Sequence, residues 1–166
     1  RDQPRSRGLG DVYKRQEDNS LFQAEIAKKE IEANSMTYKV YTVSNSNEIQ
    51  TVVESMVGKV DAIYIPTDNM IAAGMSTVSM VATENKIPCI VGESGMVDNG
   101  GLATYGIDYY NLGKKTAKMA AKILKGEASP EDMPIEYLDA AKCELQVNEE
   151  IAKELGIDVS GLDIGK

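Results

Sequence analysis

Residues 38–69 read YKVYTVSNSNEIQTVVESMVGKVDAIYIPTDN, and the order of signals within them decides the fold. Tyr38–Val43 is dense in β-branched and aromatic residues, which suit the pleated surface of a strand. Asn45 or Ser46 can cap the stripe that follows, Ile49, Val52, Val53, Met56 and Val57, spaced i, i+3, i+4, i+7, i+8 as on one helix face. Gly58 stands where that helix should stop. Val60–Pro66 is then a nearly unbroken apolar run, the pattern of a strand covered on both sides. A strand, a helix and a second strand at this spacing predict a parallel pair joined by a helical crossover.

The same alternation runs outward in both directions. Upstream, residues 20–34 read as a helix, with Phe22/Ile26 and Ala27/Ile31 as i,i+4 pairs. Downstream, Ile71, Met75, Val78 and Ala82 stripe a helix, and Ile87–Val91 reads as another buried strand. Leu102–Ile107 is a strand after the turn Asn99-Gly100-Gly101. Leu112, Thr116, Met119, Ala120 and Ile123 then mark one face of a long helix ending at Gly126. Ile135–Leu138 and Glu144–Val147 are short strand candidates, and a last helix starts from Asn148 with Glu149 and Glu150 at its positive end. Repeated alternation predicts an α/β fold: a Rossmann-like parallel sheet with helices on both faces. The helix at residue 20 has no recognisable strand before it, so the sheet is expected to begin one strand late.

The first sixteen residues, RDQPRSRGLGDVYKRQ, are net positive in a chain whose net charge is −8, and they show no period of 2 or 3.6. They resemble translated library-adapter sequence and are expected to stand outside the fold, the alternative being a native basic tail. A strongly acidic remainder is the wrong footprint for nucleic acid. The chain has no histidine, which removes the serine–histidine and cysteine–histidine nucleophile systems and every histidine-containing metal site. Its two cysteines, Cys89 and Cys143, form no CxxC; Cys89 sits in an apolar run and reads as a buried thiol, and a pairing between the two stays open. No phosphate-binding loop and no catalytic constellation can be assembled, so the chain is expected not to be an enzyme and to need no cofactor.

In open parallel sheets, ligands meet the loops beyond the carboxyl ends of the strands. Three such loops are rich in hydrogen-bonding groups: Glu17-Asp18-Asn19-Ser20, Thr67-Asp68-Asn69 and Gly92-Glu93-Ser94-Gly95. Asp108-Tyr109-Tyr110 forms a fourth cluster. A carboxylate suits an ammonium, and a helix N-terminus with a hydroxyl suits a carboxylate, a combination that would recognise an amino acid. Each residue also has a structural reading. Ser20 and Asp68 suit helix N-caps, Asn19 a turn, Glu93 a solvated charge, and Tyr105, Tyr109 and Tyr110 packing.

Taken together, EDNS (17–20), the segment 43–69, ENKIPCIVGESG (84–95), residues 100–126 and CELQVNEEIAKELGIDV (143–159) resemble the carboxyl-terminal half of ABC-transporter substrate-binding proteins of the tryptophan/tyrosine type. Asp18 departs from the Glu-Ala-Asn-Ser common in that family. The resemblance implies one lobe of a type I periplasmic binding protein, truncated at its amino end. Residues 17–107 would form the ligand-binding lobe without its first strand. Residues 108–133 would be a hinge crossing and a helix of the other lobe, and 134–166 a return crossing and tail. It further implies an extracytoplasmic protein with a lipid anchor outside this chain, an amino-acid solute of aromatic type, and ABC permease partners. Asn19, Ser20, Thr67, Asp68 and Asn69 would touch the solute, then Asp108 and Tyr109, and lastly Glu93. An effector-sensing domain of a transcription regulator shares the architecture and is the alternative.

Overall fold

The computed structural model describes residues 9–14, 18–107, 109–137 and 143–162. Six strands form one sheet in the order β2-β1-β3-β4-β5-β6: β1 Leu9–Lys14, β2 Tyr38–Val43, β3 Ala62–Ile65, β4 Cys89–Val91, β5 Ala103–Gly106 and β6 Glu144–Val147. The first five are parallel, and β6 joins β5 antiparallel with Gly106 opposite Glu144 and Ala103 opposite Val147. The helices are α1 Asp18–Ala33, α2 Ile49–Glu54, α3 Asn69–Ala73, α4 Met75–Glu84, α5 Ser94–Asp98, α6 Tyr109–Leu124 and α7 Glu149–Leu155. This is the α/β architecture expected from the alternation.

The main core lies on the face of the sheet covered by α2–α5. Ile49, Val53 and Met56 from the α2 region, Ile63 and Ile65 from β3, and Ile71, Met75 and Val78 from α3 and α4 are all fully buried. Burying each such side chain stabilises the fold by roughly 1.5–3 kcal/mol. Right-handed crossovers send α1 to the opposite face, because β1→β2 and β2→β3 move in opposite directions across the sheet. There Ala24 and Ile31 are buried. β3 alternates strictly between half-buried and buried residues, and in β4 the side chain of Ile90 is 38% exposed between buried Cys89 and Val91. The expectation that these strands are covered equally on both faces is therefore corrected: the α1 side is covered less completely.

Other differences have local causes. The helix foreseen through Val57 stops at Glu54, and Met56 is buried from the turn that follows. The 71–82 helix is two helices broken at Gly74, where an added Cβ would lie 2.5 Å from Ile49 Cδ1. α5 was not foreseen. Residues 135–137 carry no strand, and their segment is instead tied to α6 by Lys115, whose Nζ lies 3.2 Å from Glu136 Oε2 and donates to the Tyr137 carbonyl at 2.6 Å. α6 ends as expected at Gly126, left-handed at φ 72°.

The largest correction concerns the amino end. Residues 9–14, expected to be outside the fold, form β1 in the middle of the sheet, hydrogen-bonded to β2 along its length and to β3 over Leu9–Asp11. The lobe therefore does not begin one strand late. A parallel ladder is made by backbone groups, so a segment without a side-chain period can still occupy the slot between two strands that each need a partner.

Two outcomes follow from this packing. Deleting residues 1–16 should uncover the facing edges of β2 and β3 and lower the unfolding midpoint by about 10 °C or more, with slow hydrogen exchange at the amides of β1 in the intact chain. A midpoint unchanged by the deletion would restore the dispensable-tail reading. Separately, burial pushes the Cys89 thiol up to about 12, whereas Cys143 is only half-buried, and both are free. Ellman's reagent at pH 8 should titrate one thiol in the native protein and two in denaturant. Because the folded pKa of Cys89 is raised, its contribution to stability is complete below the unfolded value near 9 and is lost as pH rises from there towards 12.

Candidate functional site at the carboxyl edge of the sheet

Because β1 to β5 are parallel, their carboxyl ends share one edge, and the antiparallel β6 starts at that edge with Glu144. The strand order runs outward in opposite directions from β1 and β3. The loops after those two strands therefore diverge to opposite faces and leave a crevice between them, the usual ligand position in sheets of this kind. On one side of that crevice is the start of α1, with Asn19 and Ser20. On the other is the loop Pro66–Asp68 leading into α3.

The two sides are bonded together. Asn19 Nδ2 and Ser20 Oγ both donate to the Thr67 carbonyl, at 2.8 and 3.0 Å. Ser20 Oγ also lies 3.2 Å from Asp68 Oδ2, to which it can donate instead. Thr67 N–H donates to Gln23 Oε1 at 2.8 Å. Asp68 is 1% exposed and caps α3, its Oδ1 accepting from the N–H groups of Met70 and Ile71 at 3.0 and 3.1 Å. Two of the first orphan donors of that helix are thereby satisfied. Four of the residues singled out from sequence thus form one hydrogen-bonded cluster, and Asn69 follows it on the exposed first turn of α3.

The neighbouring loop closes the other flank. Gly92, just past β4, lies so near that an added Cβ would fall 2.5 Å from Thr67 N, and Thr67 Oγ1 donates weakly to the Gly92 carbonyl at 3.4 Å. Only glycine fits such an approach of two backbones. Glu93 is not a free loop charge: its side chain caps α5, accepting from Gly95 N–H at 2.8 Å. Further along the edge, Ser94, Gly106, Tyr109, Tyr110, Glu144 and Gln146 line an open cavity of about 400 Å³. Tyr110 is 72% exposed, with Lys114 Nζ 4.6 Å from its ring centroid, a cation–π distance. Asp108 lies outside the described residues. The sequence-selected residues therefore fall at two places on one edge, the clasped crevice and the tyrosine-lined cavity.

Gln23 was not foreseen; Gly92 and Ser94 lay in a loop singled out for its polar groups but not among the residues expected to touch a solute, and Glu144 and Gln146 were foreseen only as part of a strand. Gln23 had a faint signal, since it stands four residues after Asn19 and so on the same helix face. The chemistry assembled here is hydrogen bonding, aromatic surface and capped helix ends, and among the described residues no group of three or more acidic or cysteine side chains could hold a metal ion.

Comparison with known proteins agrees with this geometry. A family model described as ABC transporter substrate binding protein matches residues 2–161, a span that includes β1. A tyrosine-binding protein of Clostridioides difficile is 38% identical over 160 residues, covering 96% of this chain and 46% of that protein. Among solved structures, an ABC domain from Streptococcus pneumonia in complex with L-Trp superposes with a TM-score of 0.83 at 38% identity, over 92% of this chain and 51% of that one. The ligand-free, open structure of a Clostridium difficile substrate binding protein with adhesive properties gives 0.75 at 40% identity, over 97% and 54%. The chain thus spans about half the length of the relatives it matches.

The clasp makes a stability prediction. Asp68→Ala leaves two buried helix N–H groups without their acceptor and should cost about 1–2 kcal/mol or more in urea unfolding. Asp68→Asn keeps a capping oxygen and should cost about 1 kcal/mol or less. Equal losses for the two substitutions would mean that the negative charge, rather than the cap, is what the site requires.

Proposed function

The chain belongs to the family of ABC transporter substrate-binding proteins, and on that premise we propose that it forms one lobe of a two-lobed receptor that delivers an aromatic amino acid to an importer. The observation that carries this reading is the clasped crevice at the point where the strand order reverses, set beside relatives that bind tyrosine and L-Trp. Solute would rest on the exposed edge groups, with Asn19, Asn69 and Tyr109 facing it and Asp108 at the crossing. Ser20, Thr67, Asp68 and Glu93 would hold those groups in place through the hydrogen bonds described above. Tyr105, Tyr109 and Tyr110, all exposed, offer stacking surface for an aromatic side chain.

In this reading β1–β5 with α1–α5 grip the solute, and residues 108–133 cross to the other lobe. Residues 134–166 return. The amphipathic α6, which has no buried residue, supports that division, because the described residues leave its apolar face only partly covered, with Leu112 and Met119 half-buried. Closure of the two lobes by a hinge motion would trap the solute, and the closed form would dock on the permease. The protein would act outside the cytoplasm, held by a lipid anchor beyond this chain, and would bind and release its solute without chemistry.

Calorimetry on the full-length protein against amino acids, sugars and polyamines tests this. Tyrosine or tryptophan should bind at micromolar or tighter Kd. The 166-residue chain alone should bind at least about a hundredfold more weakly, having lost several contacts at roughly 1 kcal/mol each. Binding of a sugar with no response to any amino acid would overturn the ligand class. Tight binding by the 166-residue chain as a monomer would overturn the two-lobed reading.

A further inference from the structure

We propose that Gln23 is a positioning residue for solute binding, fixing the Pro66–Thr67 peptide and through it the loop that carries Asp68 and Asn69. The inference rests on the functional reading above and adds a residue that makes no contact of its own with the solute.

The argument starts from the backbone of residue 67. It stands between the end of β3 and the first turn of α3, where neither the sheet ladder nor the helix provides its partners. A backbone N–H and C=O that are half-buried must still be paired. Both are paired by one face of α1: Asn19 and Ser20 donate to the carbonyl, and Gln23, one turn later, accepts from the N–H. The N–H belongs to the Pro66–Thr67 peptide and the C=O to the Thr67–Asp68 peptide, so two successive peptide planes are tied to one helix and neither can rotate without breaking its own bonds to α1.

Gly92 packs against the same Pro66–Thr67 peptide, where an added Cβ would lie 2.5 Å from Thr67 N and 2.9 Å from the Pro66 carbonyl carbon. That peptide is therefore bonded to a side chain of α1 and packed closely against a second main chain. Of the three side chains, Asn19 and Ser20 share one acceptor, so either can partly replace the other. Gln23 is the acceptor for the N–H, and without it that donor would turn to water and free the peptide to tilt. Asp68 and Asn69 follow directly along the chain, so a tilt at Thr67 would displace the crevice wall that faces the solute. Preorganisation of this kind raises affinity by removing the ordering cost that binding would otherwise bear.

The test compares Gln23→Met, which keeps the length of the side chain and removes the acceptor, with Gln23→Glu, which keeps an acceptor in the same place. Hydrogen exchange at the Thr67 amide should quicken at least about tenfold in Gln23→Met and stay within about threefold of wild type in Gln23→Glu, with the Ile65 amide as a control in the adjoining strand. In the full-length protein, affinity for the solute identified by calorimetry should fall about tenfold in the first variant and be retained in the second. Unchanged exchange at Thr67 in Gln23→Met overturns the proposal, as does quickened exchange with unchanged affinity. Equal losses in both variants also overturn it, since the role would then not be that of an acceptor. If the solute proves not to be an amino acid, the ligand class falls, while the comparison of the two variants still decides the role of Gln23.

Discussion

The backbone of Thr67 is the joint on which the carboxyl edge of this sheet is built. Its carbonyl collects two donors from α1, its N–H reaches a third side chain of the same helix, and Gly92 presses against it from the next loop. Asp68 then converts that fixed backbone into the start of a helix. Four separate segments (the start of α1, the end of β3, the start of α3 and the end of β4) meet at one residue. Polar side chains that might have faced outward to solvent are spent inward on each other. Ser20 and Asp68 are buried in that network, while Asn19 and Asn69 stay exposed at its rim.

Much of the fold was legible because apolar positions carry their period openly. Of the stripe Ile49, Val52, Val53, Met56 and Val57, three residues are buried and Val52 half-buried as the spacing implied, while Val57 is exposed past the helix end, and the run at 60–66 holds the central strand Ala62–Ile65. The capping of α7 by Asn148 was equally readable, its side chain accepting from Ile151 N–H at 3.1 Å. α5 was not legible, since five residues are too few to display a 3.6-residue period. β1 was hidden for a different reason: its place is secured by backbone pairing on both sides, which leaves no mark in the order of side chains. At the site, the polar loops were found because such residues collect at strand ends, whichever role they play. Whether Asp68 caps a helix or faces a solute was undecidable in sequence, because one carboxylate suits both; it accepts from two N–H groups of α3, and Glu93, read as a solvated charge or a solute contact, accepts from the Gly95 N–H. Gln23 escaped because a glutamine in a helix usually faces water.

α6 sets a different energetic problem. It is sixteen residues long and strongly amphipathic, and none of its residues is buried. An isolated helix of that length is marginal in water, so its order in the chain depends on tertiary partners. At its carboxyl end Leu124 is 88% exposed beside the exposed Ile123, and in its first turn Tyr110 is exposed as well. Lys115, bridging to Glu136 and the Tyr137 carbonyl, holds the helix to the following segment rather than to the sheet. Stability measured on this chain would therefore report mainly on the sheet with α1–α5 and say little about α6.

The antiparallel pair β5–β6 has a consequence for protein engineering. Gly106 and Glu144 face each other across the ladder, so the chain leaves the sheet and re-enters it at neighbouring points. Everything from residue 107 to residue 143 is topologically an excursion, closed at its base like a β-hairpin. Replacing it with a two-residue Asn-Gly turn would preserve the register of both strands, since that is the connection such a pair natively accepts. The product would be a minimal domain of one sheet and its own helices, in which the edge crevice could be redesigned or displayed without residues 107–143.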